Sequence, residues 1–120
     1  MNNRIFSSTD KSKALKLFNN VADGWHLSKS ERHQILGVTS EQSIDLWLQS
    51  ESHASKDPVL LRMSYVLGIY KALRTLYPDE DRANAWVSKG NRNFEGRTAI
   101  EVMLKGGLKD VRQYLDGQLV

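Results

Sequence analysis

The chain has 120 residues, 40% of them hydrophobic and 26% charged, which suits one globular domain or two small ones sharing a core and excludes a mainly disordered chain. It holds no cysteine, so disulfides and thiolate metal centres are excluded, and nothing points to secretion. The net charge of +3 is only a weak pointer to an anionic partner.

The N-terminal MNNRIFSSTDKSK lacks an apolar run of signal-peptide length, and no run approaches a membrane span, so a cytoplasmic location is the expectation. The first helix is predicted from about Asp10 to Asp23. Ala14, Leu15, Leu17, Phe18, Val21 and Ala22 give it an apolar face, and Gly24 is placed at its stop. Ser28-Lys-Ser-Glu31 is a capping box that opens a second helix ending at Leu36, with Gly37 free to take positive φ. Thr39-Ser-Glu-Gln42 reads as another capping box, opening a third helix with Ile44, Trp47 and Leu48 on one face. Residues 49–56 read as a polar linker. Asp57-Pro58 is an N-cap with proline at the first helical position. The fourth helix runs to about Tyr77, with Leu60, Met63, Leu67, Tyr70, Leu73 and Tyr77 at three- and four-residue spacing, and is the expected spine. Pro78 stops it, and Asp79 caps a fifth helix carrying Ala83, Trp86 and Val87.

Ser88–Arg97 reads as a loop with Phe94 as its large apolar anchor. Thr98-Ala-Ile-Glu101 is a third capping box before a short helix with Ile100, Met103 and Leu104, ended by Gly106-Gly107. The last helix runs from Leu108 to about Leu119, with Leu108, Val111, Leu115 and Leu119 on one side. Strand-like alternation and internal repeats are absent. The expected fold is all-α, a compact protein of about seven helices, with a helix-turn-helix-like N-terminal part packed against a C-terminal helical part.

The second and third helices flank Gly37-Val38-Thr39, which is the spacing of a helix-turn-helix. Ser40, Glu41, Gln42, Ser43 and Asp45 would then lie near a groove, and Lys29, Arg32 and His33 could meet backbone phosphates. Two acidic residues in the recognition position oppose that reading, and a helical corner without DNA contact is equally open. Charge distribution leans the same way. Residues 1–57 carry seven Lys/Arg and seven Asp/Glu, whereas residues 58–120 carry ten and seven, so all the excess lies in the second half.

No arrangement suggests catalysis. His26, His33 and His53 lie in different elements without metal-ligand spacing. Asp79, Glu80 and Asp81 sit at a helix start, where negative charge suits the macrodipole. There is no G-x-S-x-G elbow and no glycine-rich phosphate loop after a strand. The expectation is a protein that is not an enzyme and needs no cofactor or metal. Trp25, Trp47 and Trp86 read as core or boundary residues. The loop Lys89-Gly-Asn-Arg-Asn-Phe-Glu-Gly-Arg97 carries three cations. The final helix puts Lys109, Arg112, Gln113, Tyr114 and Asp116 off its apolar side, ahead of Gly117-Gln-Leu-Val120.

Order and spacing of these residues resemble the Xre/MbcA/ParS type of antitoxin, the partner of RES-domain toxins, over about Ala14 to Leu119. The resemblance is carried in front by Leu36-Gly37-Val38, Ile44 and Trp47. Behind, it is carried by Arg62, Ala85-Trp86-Val87, Asn91, Phe94, Gly96-Arg-Thr-Ala-Ile-Glu101, Gly106, Val111 and Tyr114-Leu115. Ala99 stands where the family pattern has proline, a mild departure at a first helical position that tolerates either.

The resemblance implies an all-α antitoxin that masks a toxin which consumes NAD or transfers ADP-ribose from it, by covering the entrance to its NAD cleft. It implies two regions. Residues 1–56 would be a helix-turn-helix-like part for dimerisation and operator DNA, with Lys29, Arg32, Ser40, Gln42 and Ser43 as DNA-binding candidates. Residues 57–120 would bind toxin through Lys89, Asn91, Arg92, Arg97, Lys109, Arg112, Gln113, Tyr114, Gln118, Leu119 and Val120. A homodimer within a larger toxin–antitoxin complex, repressing its own operon, is the implied assembly. The competing reading is a helix-turn-helix repressor without a toxin.

Overall fold

The computed structural model describes residues 5–120, so the first four residues of the 1–56 region lie outside it. Seven α-helices account for most of it: α1 (Ser8–Gly24), α2 (Lys29–Leu36), α3 (Glu41–Gln49), α4 (Pro58–Leu76), α5 (Glu80–Trp86), α6 (Ala99–Leu104) and α7 (Leu108–Gln118). The fold is all-α. Two short strands, β1 (Ile5–Phe6) and β2 (Ser52–His53), pair antiparallel, Ile5 with His53 and Phe6 with Ser52. Their two-residue length leaves no alternation to read. The stretch taken as a linker is therefore structured, with β2 followed by a 3-10 turn at Ala54–Lys56.

The caps explain most boundaries. Ser7 rather than Asp10 opens α1, because its hydroxyl accepts the Asp10 amide while the Asp10 carboxylate accepts the Ser7 amide. Ser28 with Glu31, and Thr98 with Glu101, form the expected capping boxes. The box expected at Thr39 does not form. Ser40 is the N-cap, its hydroxyl accepting from the Ser43 amide, and the Thr39 hydroxyl pairs with that of Ser43 instead.

Three helices end in the same paired reversal, with the left-handed residue at His26 (φ 58°), Gly37 (φ 73°) and Gly106 (φ 89°). After α1 the amides of His26 and Leu27 reach Asp23 and Ala22 carbonyls at 3.1 and 3.0 Å. Gly24, expected to supply that turn, is instead helical. Its missing side chain leaves room for Asn84, whose Nδ2 would lie 2.8 Å from an added Cβ. Gly117 and Gln118 lie within α7, which ends one residue before the expected Leu119.

One apolar core runs through the protein. It includes Phe18, Trp25 and Leu36 from the front half, Met63, Val66, Ile69 and Leu73 from α4, and Val102, Met103, Val111 and Leu115 from behind. The α4 spine packs chiefly against α7 on one side and α1 on the other. A side-chain bond from Gln34 Nε2 to the Leu104 carbonyl (2.8 Å) also joins α2 to α6. Among the described residues no helix is long and apolar enough to cross a membrane.

A buried polar node sits under α3. Lys11 is fully buried, and its ammonium donates to the Trp47 carbonyl (3.1 Å), the Ser50 carbonyl (2.8 Å) and the Ser50 hydroxyl (3.0 Å). It lies 3.6 Å from the Asp57 carboxylate and 5.0 Å from the Trp47 ring centroid. Asp57 accepts from the Trp47 indole, the Ser52 hydroxyl and the Leu60 amide. Burial alone would raise its pKa. The three hydrogen bonds and the Lys11 charge together hold it below the ordinary value.

Candidate partner-binding surface

The loop between α5 and α6 is folded by its own backbone. Gly90 and Thr98 form a bridge, and the Asn91 amide donates to the Arg97 carbonyl at 3.0 Å. The Asn91 carbonyl accepts from Phe94 and Gly96, both at 2.9 Å, closing a 3-10 turn over Arg92–Phe94. Gly90 is required here, because a Cβ would approach the Gly96 carbonyl oxygen to 2.9 Å.

This loop is mounted on α7 by aromatic rings. Trp86 and Tyr114 stack with centroids 6.2 Å apart and planes inclined by 13°. Phe94 meets the edge geometry of both, at 5.4 Å from Tyr114 and 6.2 Å from Trp86. Such ring pairs contribute roughly 0.5–1.5 kcal/mol each beyond the area they bury. Asn93 adds a polar tie, donating through Nδ2 to the Tyr114 hydroxyl at 3.0 Å.

The residues marked for toxin contact fall into unlike settings. Lys89 and Arg92 are exposed on the loop, with side chains that make no hydrogen bond or ion pair among the described residues. Arg97 is exposed but tethered, its Nε donating to the Phe94 carbonyl at 3.2 Å. Asn91 is an organiser of the loop, since its Oδ1 accepts from the Asn93 amide and the Asn93 side chain. Gln113, Gln118, Leu119 and Val120 are exposed.

On α7, Tyr114 and Arg112 stand about 200° apart around the helix axis, so they flank opposite edges of the buried stripe of Leu108, Val111 and Leu115. Tyr114 faces the loop. Arg112 lies against Gly68 of α4 and binds both Asp116 carboxylate oxygens at 3.2 Å. Lys109 borders a pocket of about 230 Å³ with Leu61, Arg62 and Tyr65. The structure thus gathers the loop residues around Tyr114 and sets Lys109 and Arg112 on the α4 side.

The residues marked for DNA divide in the same way. Lys29 and Gln42 are exposed. Arg32 is engaged three times within the chain, by the Leu27 carbonyl (3.1 Å), Asn19 Oδ1 (3.3 Å) and Asp23 (2.7 Å). Ser40 is the N-cap of α3, and its hydroxyl and that of Ser43 pair with each other. His33 Nε2 meets Glu41 at 2.9 Å across the turn, and this bond holds the Glu41 carboxyl below its usual range. Between α1, α2 and α3 lies a groove of about 420 Å³, lined among others by Phe18, Lys29, Arg32, His33 and Glu41.

Sequence reasoning missed Asn93, Gly68 and the Lys11–Asp57 node. Asn93 carried a faint signal as the second asparagine of an Asn-Arg-Asn turn. Lys11 carried none, because its partners lie 36 and 39 residues away. Among the described residues no group of three or more His, Asp or Glu is placed to hold a metal ion.

An all-α protein whose C-terminal helices and clasped loop form a mounted surface is the class these features define. Residues 72–118, spanning the end of α4 through α7, match the antitoxin Xre/MbcA/ParS C-terminal toxin-binding domain. The chain thus carries an Xre/MbcA/ParS-type toxin-binding domain, which supports an antitoxin of a toxin–antitoxin system and implies a toxin as partner. It is also 37% identical over 107 residues to "Uncharacterized protein y4oB" of Sinorhizobium fredii (strain NBRC 101917 / NGR234), covering 87% of this chain and 82% of that one. No solved structure matches the chain.

Proposed function

We propose that this antitoxin neutralises a RES-domain toxin that consumes NAD or transfers ADP-ribose from it, by covering the entrance to the toxin's active-site cleft. The observation that carries the reading is the clasped loop with Lys89, Arg92 and Arg97 exposed on an aromatic mount, inside the segment that matches the toxin-binding domain. A rigid loop loses little entropy on binding, and its arginines suit the acceptor groups of a cleft shaped for a dinucleotide. The toxin-facing residues are Lys89, Asn91, Arg92, Arg97, Lys109, Arg112, Gln113, Tyr114, Gln118, Leu119 and Val120, with Asn91 and Arg112 acting by holding neighbours in place. Residues 57–120 form this toxin-binding region. Residues 1–56 serve dimerisation and contact operator DNA through Lys29 and Gln42, so the complex represses its own operon.

Co-expression tests the reading. The antitoxin restores growth and cellular NAD in cells making the RES-domain toxin of the same operon. The double change Arg92→Ala and Arg97→Ala, or deletion of residues 117–120, weakens that protection while helical circular dichroism is unchanged. Full protection by both variants would overturn the assignment of the surface.

A further inference from the structure

The hydrogen-bond pattern around Asn93 fixes the direction of a proton. The Asn93 backbone amide donates to the side chain of Asn91 at 2.8 Å, and a backbone N–H can only donate. The atom it meets is therefore the Asn91 oxygen. That same oxygen lies 3.0 Å from the end of the Asn93 side chain, which must present its NH2 group. The NH2 group has two protons. One goes to Asn91, and the other points at the Tyr114 oxygen, 3.0 Å away. The Tyr114 oxygen accepts, so its own proton is turned away from Asn93. No acceptor for that proton exists among the described residues, and the ring is only half-buried.

Resting on the toxin reading above, we propose that Tyr114 presents this O–H as an outward donor to an oxygen acceptor on the partner, a carboxylate or a main-chain carbonyl, and that Asn93 is the positioning residue that aims it. The ring cannot swing to another direction, because Trp86 stacks on one face and Phe94 meets it edge-on. The exposed Arg92 beside Asn93 places positive charge near the same acceptor. The donor is aimed before the partner arrives, so little rotor entropy is lost on contact.

Tyr114→Phe removes the donor and keeps the rings. With a catalytically inactive RES-domain toxin of the same operon as the probe, the variant binds roughly three- to tenfold more weakly, the range of one neutral hydrogen bond. A larger loss that shrinks in high salt identifies the acceptor as a carboxylate, and a salt-insensitive loss identifies a carbonyl. Asn93→Asp places one oxygen opposite Tyr114, drawing the proton inward, and another against the Asn91 oxygen, loosening the loop. It should weaken binding at least as much as Tyr114→Phe does, and adding Tyr114→Phe to it should cost no more. In the free protein, Tyr114→Phe should speed hydrogen exchange at the Glu95 and Gly96 amides while α4 amides keep their protection. Parent-like affinity of Tyr114→Phe, in an assay where Arg92→Ala with Arg97→Ala weakens binding, overturns the donor assignment alone. Parent-like affinity of all these variants overturns the toxin-facing surface itself.

Discussion

The Arg112 guanidinium on α7 occupies the space that a side chain at Gly68 on α4 would fill: a Cβ there would lie 1.8 Å from Nη1 and 2.4 Å from Cζ. A second arginine uses a glycine in the same way. Arg62 of α4 lies over Gly37, where a Cβ would meet Nη1 at 2.4 Å, and it donates to the Leu36 carbonyl at 3.3 Å. One arginine ties the spine to the corner after α2, and the other packs the terminal helix over the spine.

Gly68→Ala therefore separates stability from placement. The clash falls on the far end of a flexible, partly exposed side chain, which can swing aside. Alanine in a helix interior gains up to about 1 kcal/mol over glycine. Urea unfolding should show stability unchanged or raised by that order, while toxin affinity falls as it does for Arg112→Ala. A stability loss above about 2 kcal/mol would show that Arg112 cannot leave its seat.

Lys11→Met should be strongly destabilising. It leaves a buried carboxylate at Asp57 and strips the Ser50 carbonyl of its donor. Removing one partner of a buried ion pair costs about 3–5 kcal/mol. Adding Asp57→Asn should recover part of that loss, and denaturant midpoints of the single and double variants measure the coupling.

Acid should loosen the same node. The folded-state pKa of Asp57 lies below its ordinary value near 3.8, so its contribution is fully present above that value. The contribution is lost as pH falls from there through the folded value. Thermal unfolding followed below about pH 4 should show a fall that is smaller in Asp57→Asn. An equal fall in both proteins would place the acid-sensitive group elsewhere.

Phe94→Ala removes the ring that braces Trp86 and Tyr114 beneath the loop. Truncating a buried phenylalanine costs about 3–5 kcal/mol. Because Phe94 sits at the edge of the core, the lower end is expected here, with toxin affinity lost alongside. Phe94→Leu should retain more of both. Calorimetric unfolding and binding titrations on the two variants check the order.

Operator binding by α2 and α3, where it occurs, should weaken on Lys29→Ala and Gln42→Ala without loss of stability, since both side chains are exposed. Losing the Lys29 phosphate contact should also flatten the salt dependence by about one unit of slope. Arg32→Ala should lower stability whether or not DNA binds, because its guanidinium ties α1 to α2. Promoter shift assays at two salt concentrations, with a thermal melt of each variant, distinguish these effects. Lack of any shift at low salt would remove DNA from the function.

The sequence by itself determined the helices and most of their caps. Ser28 with Glu31, Thr98 with Glu101, Asp57 before Pro58 and Gly37 act within a few residues, so their hydrogen bonds are readable from spacing. The Leu108, Val111, Leu115 stripe was equally legible, because helical period fixes which residues share a face, and Phe94 was legible as the one large apolar residue of its polar loop. Tertiary structure alone decided which polar side chains are available. Lys11, Arg32 and Arg112 look alike in sequence as cations on helices, yet one is fully buried, one is triply bonded and one is seated on a glycine. The turn at His26 and the tie from Asn93 to Tyr114, 21 residues away, belong to the same class. Propensity acts through the local backbone, whereas the pairing of long polar side chains depends on which distant elements the apolar core brings together.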